Sequence, residues 1–207
     1  MHSGLYCDQN VDASDVDTFL SQFGRNPFNS PCPDCYDSPC PCTPAGTPKT
    51  GQATSYATGD DGNLEKGVAW PNPRFTDNGD GTVTDNLTNL VWLKNANCFG
   101  REQWWQALSY SNGLASGSSG LTDGSQAGGW RLPNYKELFS LVDAANYDPA
   151  LPTGHPFNNV QFFYYWSSTT DPSFTILFAF HVMMYDGVVN RYDKNLHDYV
   201  WPVRDPL

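Results

Sequence analysis

Trp130-Arg131-Leu132-Pro133-Asn134, with Glu137 three residues further on, marks the start of a helix and decides how the second half of the chain is read. An asparagine at a helix entrance accepts hydrogen bonds from amides that have no partner inside the helix. A glutamate three positions later reaches back to the asparagine's own amide, closing a capping box. The helix predicted from this start buries Leu138, Leu141, Val142 and Ala145. Beyond Pro156 the pattern turns to strands over 160–166, 176–185, 188–192 and 199–203, with Asp186-Gly187 as a hairpin turn. On the N-terminal side, residues 102–115 carry Trp104, Trp105, Leu108 and Ala115 at helical spacing. Leu90-Val91-Trp92-Leu93 reads as a buried strand. Asn78-Gly79-Asp80-Gly81 sits between β-forming segments as a hairpin turn, and that turn accounts for Asp77, Asp80 and Asp85 without a bound cation. Two helices followed by a run of antiparallel strands define an α+β domain.

Only 16% of the 207 residues are charged, whereas 14% are aromatic, which is enough for a sizeable core. The net charge of −11 excludes a nucleic-acid partner, because such binding draws most of its affinity from Lys and Arg on phosphates. It also weighs against sulfated glycans and anionic membranes. No apolar run reaches the roughly 20 residues of a membrane span, so no membrane insertion is expected. Residues 1–10 show no signal-peptide pattern, leaving a cytosolic protein or a mature secreted one.

Three regions separate by composition: 1–30, a Cys/Pro-rich linker over 31–70, and a globular domain over 71–207. Cys7, Cys32, Cys35, Cys40 and Cys42 cluster in a core-poor stretch. That density favours disulfides in an oxidising compartment, hence an extracellular or cell-surface location, with a four-thiolate zinc site as the alternative. Asp8-Gln9-Asn10-Val11-Asp12-Ala13-Ser14-Asp15 resembles the second half of an EF-hand-type, dockerin-like calcium repeat. On that register Asp8, Asn10, Asp12 and Asp15 are the calcium ligands. The first two ligand places fall on Gly4 and Tyr6, so a solvated acidic helix cap is the competing reading.

Five phrases carry a wider resemblance: residues 74–85, Trp92-Leu93-Lys94, Trp130-Arg131-Leu132-Pro133-Asn134, Tyr165-Trp166-Ser167-Ser168-Thr169-Thr170, and Val203-Arg204. Together, over residues 72–206, they resemble the C-terminal domain of bacterial collagen-like adhesins. That resemblance implies a C-type-lectin-like fold with distant kinship to formylglycine-generating enzymes. It fits Trp92, Trp130 and Trp166 as core anchors, and Arg131 and Arg204 as structural cations. It does not carry the enzyme's activity, which needs a redox cysteine pair, whereas the domain has only Cys98. His155, His181 and His197 lack the spacing of a zinc motif. A binding protein and not an enzyme is therefore expected.

Residues 171–198 depart from the family pattern, which is usually small and polar here. They hold Phe174, Ile176, Leu177, Phe178, His181, Tyr185, Asp186, Asn190, Arg191, Tyr192, Asp193, Leu196, His197 and Asp198. Aromatics mixed with Arg, His and Asp are the chemistry of a binding surface. The pattern is similar to variable proteins of diversity-generating retroelements, which vary at adenines and so do not reach Glu, Gln, Trp, Lys or Met; the stretch contains no Glu, Gln or Trp, and only Met183, Met184 and Lys194 lie outside the reachable set. The expected face spans 174–198 and binds a protein or glycan ligand on a cell or phage surface. An ordinary hydrophobic strand pair is the alternative.

Overall fold

The computed structural model describes residues 46–206, and from Thr47 onward they form one unit. Asp8, Asn10, Asp12, Asp15 and the five N-terminal cysteines lie outside the described residues.

The Asn134 capping box closes. The Asn134 side chain accepts from the amides of Lys136 and Glu137, and Glu137 accepts from the Asn134 amide at 2.8 Å. The helix it starts covers only Tyr135–Phe139, not the predicted run to Ala145. Asp143 stops it: its carboxylate takes the Ala145 amide and the Asn146 side chain, and its own amide goes to Ala150. A short acidic side chain thus offers the backbone a turn in place of further helix. Leu138 and Leu141 are buried as expected, while Ala145 is exposed. Asn134→Ala removes the cap and is expected to cost about 1 kcal/mol in chemical denaturation, with Asn134→Ser recovering most of it.

In chain order the elements are α1 (Asp61–Leu64), β1 (Phe75–Asp77), β2 (Thr82–Asp85), β3 (Val91–Leu93), β4 (Arg101–Gln103), α2 (Trp104–Gly113), α3 (Tyr135–Phe139), β5 (Tyr164–Thr170), β6 (Phe178–Met183), β7 (Val189–Asp193), β8 (His197–Tyr199) and β9 (Val203–Arg204). Strands β1-β2-β3-β9 form one antiparallel sheet. The second sheet runs β4-β8-β5-β6-β7 and is antiparallel except where β5 meets β8. This mixed architecture, with few helices and two mainly antiparallel sheets, is that of a C-type-lectin-like α+β domain.

Residues 47–70 are part of this unit, contrary to the linker expected up to residue 70. Pro48 bridges Val68, the Trp70 indole donates to Lys49 O, and Ala144 N donates to Thr50 O. Gly51 makes the passage: at φ +94° a Cβ there would lie 2.1 Å from the Asp143 carboxylate. These contacts involve backbone and single side chains, which is why composition alone read the segment as linker.

The larger core cluster packs between the sheets around Trp92, Trp130, Tyr165 and Trp201, all fully buried. A second cluster joins Trp104, Ala107, Leu132, Trp166, Ala179 and Val200 beneath α2. Helix α2 starts two residues later than expected because 101–103 pair with β8. Trp104 points into the core and Trp105, predicted to share its face, is 53% exposed. Arg131 forks onto Glu137 and reaches Asp205, while Arg204 faces the buried carboxylate of Asp123 at 3.4 Å. Both are framework cations.

Candidate ligand-binding face

The β6–β7 hairpin sets which side chains share a surface. Its register pairs Ala179 with Tyr192 and His181 with Asn190, so these four lie on one face of the sheet. Phe180 and Arg191 pair on the other. Helix α2 covers part of the first face over Trp166 and Val200.

At one end, the loop after β5 is held by two charged side chains. Arg191 donates to the buried Asp171 carboxylate at 2.7 Å, and its guanidinium lies over the rings of Phe174 and Phe178. This guanidinium and the Ser173 amide hold the Asp171 carboxyl below the usual carboxylate range. Lys194 is buried, donates to Thr170 Oγ1 and Thr175 O, and sits 3.9 Å from the Trp104 ring centroid. Burial pulls its ammonium below the ordinary lysine range. With the loop pinned, Phe174 and Leu177 project outward, and Ile176 is 80% exposed. Exposed Leu196 follows Lys194 and Asn195, which are tied to the start of α2 by Trp104 N donating to Lys194 O and Gln103 donating to Asn195 O. Exposed apolar groups thus come from neighbouring segments, Trp105 among them.

At the other end, the hairpin turn carries exposed Tyr185 and Asp186. Tyr185 meets Tyr147 edge to face, and its carbonyl accepts from Asp148 N. The six residues of β6 span roughly 17–20 Å between these ends, so the stretch supplies an elongated surface and not one compact patch.

In the centre the expectation is corrected. His181 and Asp198 are buried, at 2% and 0% exposure, not displayed. Their strands turn them toward each other across β5, where His181 Nδ1 and Asp198 Oδ2 bond at 2.7 Å. Tyr164 and Tyr192 stack on the imidazole, with ring centroids at 3.9 and 5.1 Å. Phe178, Tyr192 and Asp193 are half-buried; Asn190, Arg191 and His197 are exposed. Asn190 caps the Arg191 amide, and Arg101 donates to His197 O. Three contributors went unread in the sequence: Tyr164, Glu102 and Trp105. Tyr164 falls within the strand expected over 160–166, ahead of the 174–198 stretch read as the face. Glu102 faces Asp198 across β4–β8, a pairing hidden by reading 102–115 as helix.

Elsewhere, Cys98 touches the Ser119 hydroxyl, and burial pushes its thiol up, away from thiolate reactivity. His155 is half-buried, and desolvation lowers its imidazole. Among the described residues no group of three or more His, Cys, Asp or Glu is placed to hold a metal ion. Asp77, Asp80 and Asp85 bond to hairpin amides and hydroxyls and to Lys94 and Arg74. A polar cleft of about 430 Å³ opens beside the β1–β2 turn, and no residue of 174–198 lines it.

A C-type-lectin-like scaffold that locks its framework and displays the side chains of one hairpin and its flanking loop belongs to the class of ligand-binding domains. The sequence model of the Lcl C-terminal domain matches residues 81–204, and the chain belongs to that family, whose domains are ligand-binding and adhesin-like. No curated protein matches the sequence. No helix among the described residues is long and apolar enough to cross a membrane.

Proposed function

We propose that this protein is a secreted or surface-displayed binding module, that residues 174–198 with Trp105 and Tyr164 meet a protein or glycan ligand on a cell or phage surface, and that the stretch is diversified in the manner of retroelement variable proteins. One observation carries the reading. Within a single stretch, Ile176, Leu177, Tyr185, Asn190 and Leu196 are displayed, while Ala179, Val182 and Lys194 are buried and hold the scaffold. Such a division lets exposed residues change without unfolding the domain. The module is not an enzyme on this reading; its domain thiol is in a deactivating environment.

Ile176→Ala, Leu177→Ala and Leu196→Ala are expected to leave stability within roughly 0.5–1 kcal/mol. Each that is a hot spot weakens binding to a ligand selected on the wild-type face by 1 kcal/mol or more. Unchanged affinity in all three removes the loop from the binding surface. Diversification is tested at the gene: a near-copy of its 3′ end beside a reverse-transcriptase gene is expected, and a neighbourhood with neither leaves a fixed adhesin domain.

For the N-terminal region we propose disulfide-bonded cysteines and a calcium site at Asp8, Asn10, Asp12 and Asp15. Calcium is expected to change the proteolysis pattern of residues 1–30, and Asp12→Asn is expected to abolish the change. An identical calcium response in that variant rejects the site.

A further inference from the structure

The cleft of about 430 Å³ beside the β1–β2 turn has walls of one chemistry. Three glycines, three asparagines, one serine and one lysine line it, with no aliphatic or aromatic residue among them. The volume is that of a small-molecule site, but such sites are mostly apolar, and an apolar ligand gains nothing here. Backbone contacts fix the walls. The turn and the loop at 119–120 meet so closely that a Cβ on Gly81 would lie 2.3 Å from Gly120 O. Lys94 N donates to Gly81 O, and Asn158 N donates to Lys94 O, so three of the lining segments are tied together. Asn95 and Asn158 add a parallel bridge. Ser119 and Asn159 both hold left-handed backbone, at φ 53° and 56°. Non-glycine residues keep that conformation only where their surroundings impose it, and they gather at functional sites.

The polar groups divide into those that build the walls and those left for a ligand. Asn95 Oδ1 accepts from Asn97 N and from Asn159 Nδ2, each at 3.1 Å. Asn95 Nδ2 and Asn159 Oδ1 then have no partner among the described residues. Asn158 is exposed and ties the wall through its backbone alone, so its whole carboxamide is unpartnered among the described residues. The Lys94 ammonium bonds Asp77 Oδ2 at 2.6 Å and keeps two further donors. That pair balances the charge of the wall. An anion meets Asp77 and Asp80 of the turn in a chain of net charge −11, and a cation meets the Lys94 ammonium. A neutral molecule with adjacent hydroxyls meets neither obstacle. Each carboxamide offers an acceptor oxygen and a donor NH₂ in one plane, and neighbouring hydroxyls donate to the first and accept from the second.

The geometry points to a second binding site in this domain: the cleft takes a neutral sugar unit, a pyranose whose hydroxyls bond the carboxamides of Asn95, Asn158 and Asn159, with the Lys94 ammonium as a further donor. Glycine backbone in the walls lets the ring approach closely. No residue of 174–198 lines the cleft, so the site is separate from the proposed ligand face and stands or falls without it.

The test uses the full chain labelled with ¹⁵N-asparagine, so that the side-chain NH₂ signals of the cleft (Asn95, Asn158, Asn159) and of the ligand face and its flank (Asn190, Asn195) are read in one sample. The titrants are the methyl pyranosides of glucose, galactose and mannose and, at matched ionic strength, the methyl pyranosides of the corresponding uronic acids. Expected are saturable shifts of the cleft signals with at least one neutral pyranoside, unmoved Asn190 and Asn195 signals, and several-fold weaker binding of its uronic acid counterpart. Asn158→Ala removes a carboxamide that no other described residue holds. It is expected to leave the melting temperature unchanged and to weaken the neutral pyranoside roughly three- to tenfold, the loss of one hydrogen bond. Should that variant unfold, the comparison of neutral and acidic sugars and the location of the shifts still decide. No saturable shift with any of the three neutral pyranosides, equal or tighter binding of the uronic acid, shifts at Asn190 and Asn195 in place of the cleft signals, or unaltered affinity in a folded Asn158→Ala overturns the site.

Discussion

Trp166→Ala is expected to lower the unfolding free energy by roughly 3–5 kcal/mol, the range for emptying a buried aromatic site. In a domain of this size that corresponds to a fall in melting temperature of roughly 6–20 °C. Trp166 is fully buried, packs with Trp104, Leu132, Ala179 and Val200, and donates its indole N–H to Glu102 O at 2.8 Å. Its removal opens a cavity beneath α2 and strips the Glu102 carbonyl of its donor. It also undercuts the ligand face, because the indole lies against both His181 and Tyr192. Tyr192→Ala is expected to fall between Trp166→Ala and Ile176→Ala, since Tyr192 is half-buried. Thermal melts of the three variants need no ligand. If Ile176→Ala unfolds as readily as Trp166→Ala, the 171–177 loop is core and the proposed face is wrong.

That ordering marks how far the sequence could be read. The Asn134–Glu137 spacing located α3, and Asn78 to Gly81 located the β1–β2 hairpin, because caps and turns are local and their chemistry is written within four residues. The three tryptophans chosen as anchors are all fully buried, and Trp201, not chosen, joins them. Helix lengths were less legible. Asp143 ends α3 through bonds to Ala145, Asn146 and Ala150, and the last of these depends on a loop folded elsewhere. The candidate face was legible as a stretch but not as a surface. Alternation along β6 and β7 says which residues share a side, not which side another strand covers. His181 and Asp198 look like exposed polar residues in sequence. Only the order β8-β5-β6 brings them together and buries them. Glu102 joins them through a strand pairing with Asp198, 96 residues distant in sequence, and Tyr164 through stacking on His181, neither of which leaves a local pattern.

The second large effect lies in the other sheet and separates two kinds of ion pair. Arg74 donates from Nε and Nη2 to both oxygens of Asp85, at 2.9 and 3.1 Å, with both side chains almost wholly buried. Nη2 also reaches Ser140 O, and the guanidinium lies over the Trp70 and Phe75 rings. Asp85 accepts from Leu87 N and the Thr88 hydroxyl as well. The pair therefore joins the 70–75 segment, the β2–β3 turn and the end of α3. Arg74→Ala is expected to cost roughly 3–5 kcal/mol, because it leaves a buried carboxylate without its cation. Arg74→Lys is expected to recover only part of this, since an ammonium cannot reproduce the two-pronged contact or the ring stacking. The double replacement Arg74→Met with Asp85→Leu removes both charges and is expected to cost less than Arg74→Ala with Asp85→Ala, though more than nothing, because Leu87 N and Thr88 lose their acceptor. The exposed pair Lys49–Glu65 provides the contrast: breaking it is expected to change stability by about 1 kcal/mol or less. Urea denaturation of these variants, arranged as a double-mutant cycle, measures the coupling directly. A coupling between Arg74 and Asp85 no larger than that between Lys49 and Glu65 refutes the assignment of this pair as the clasp holding residues 70–75 to the domain.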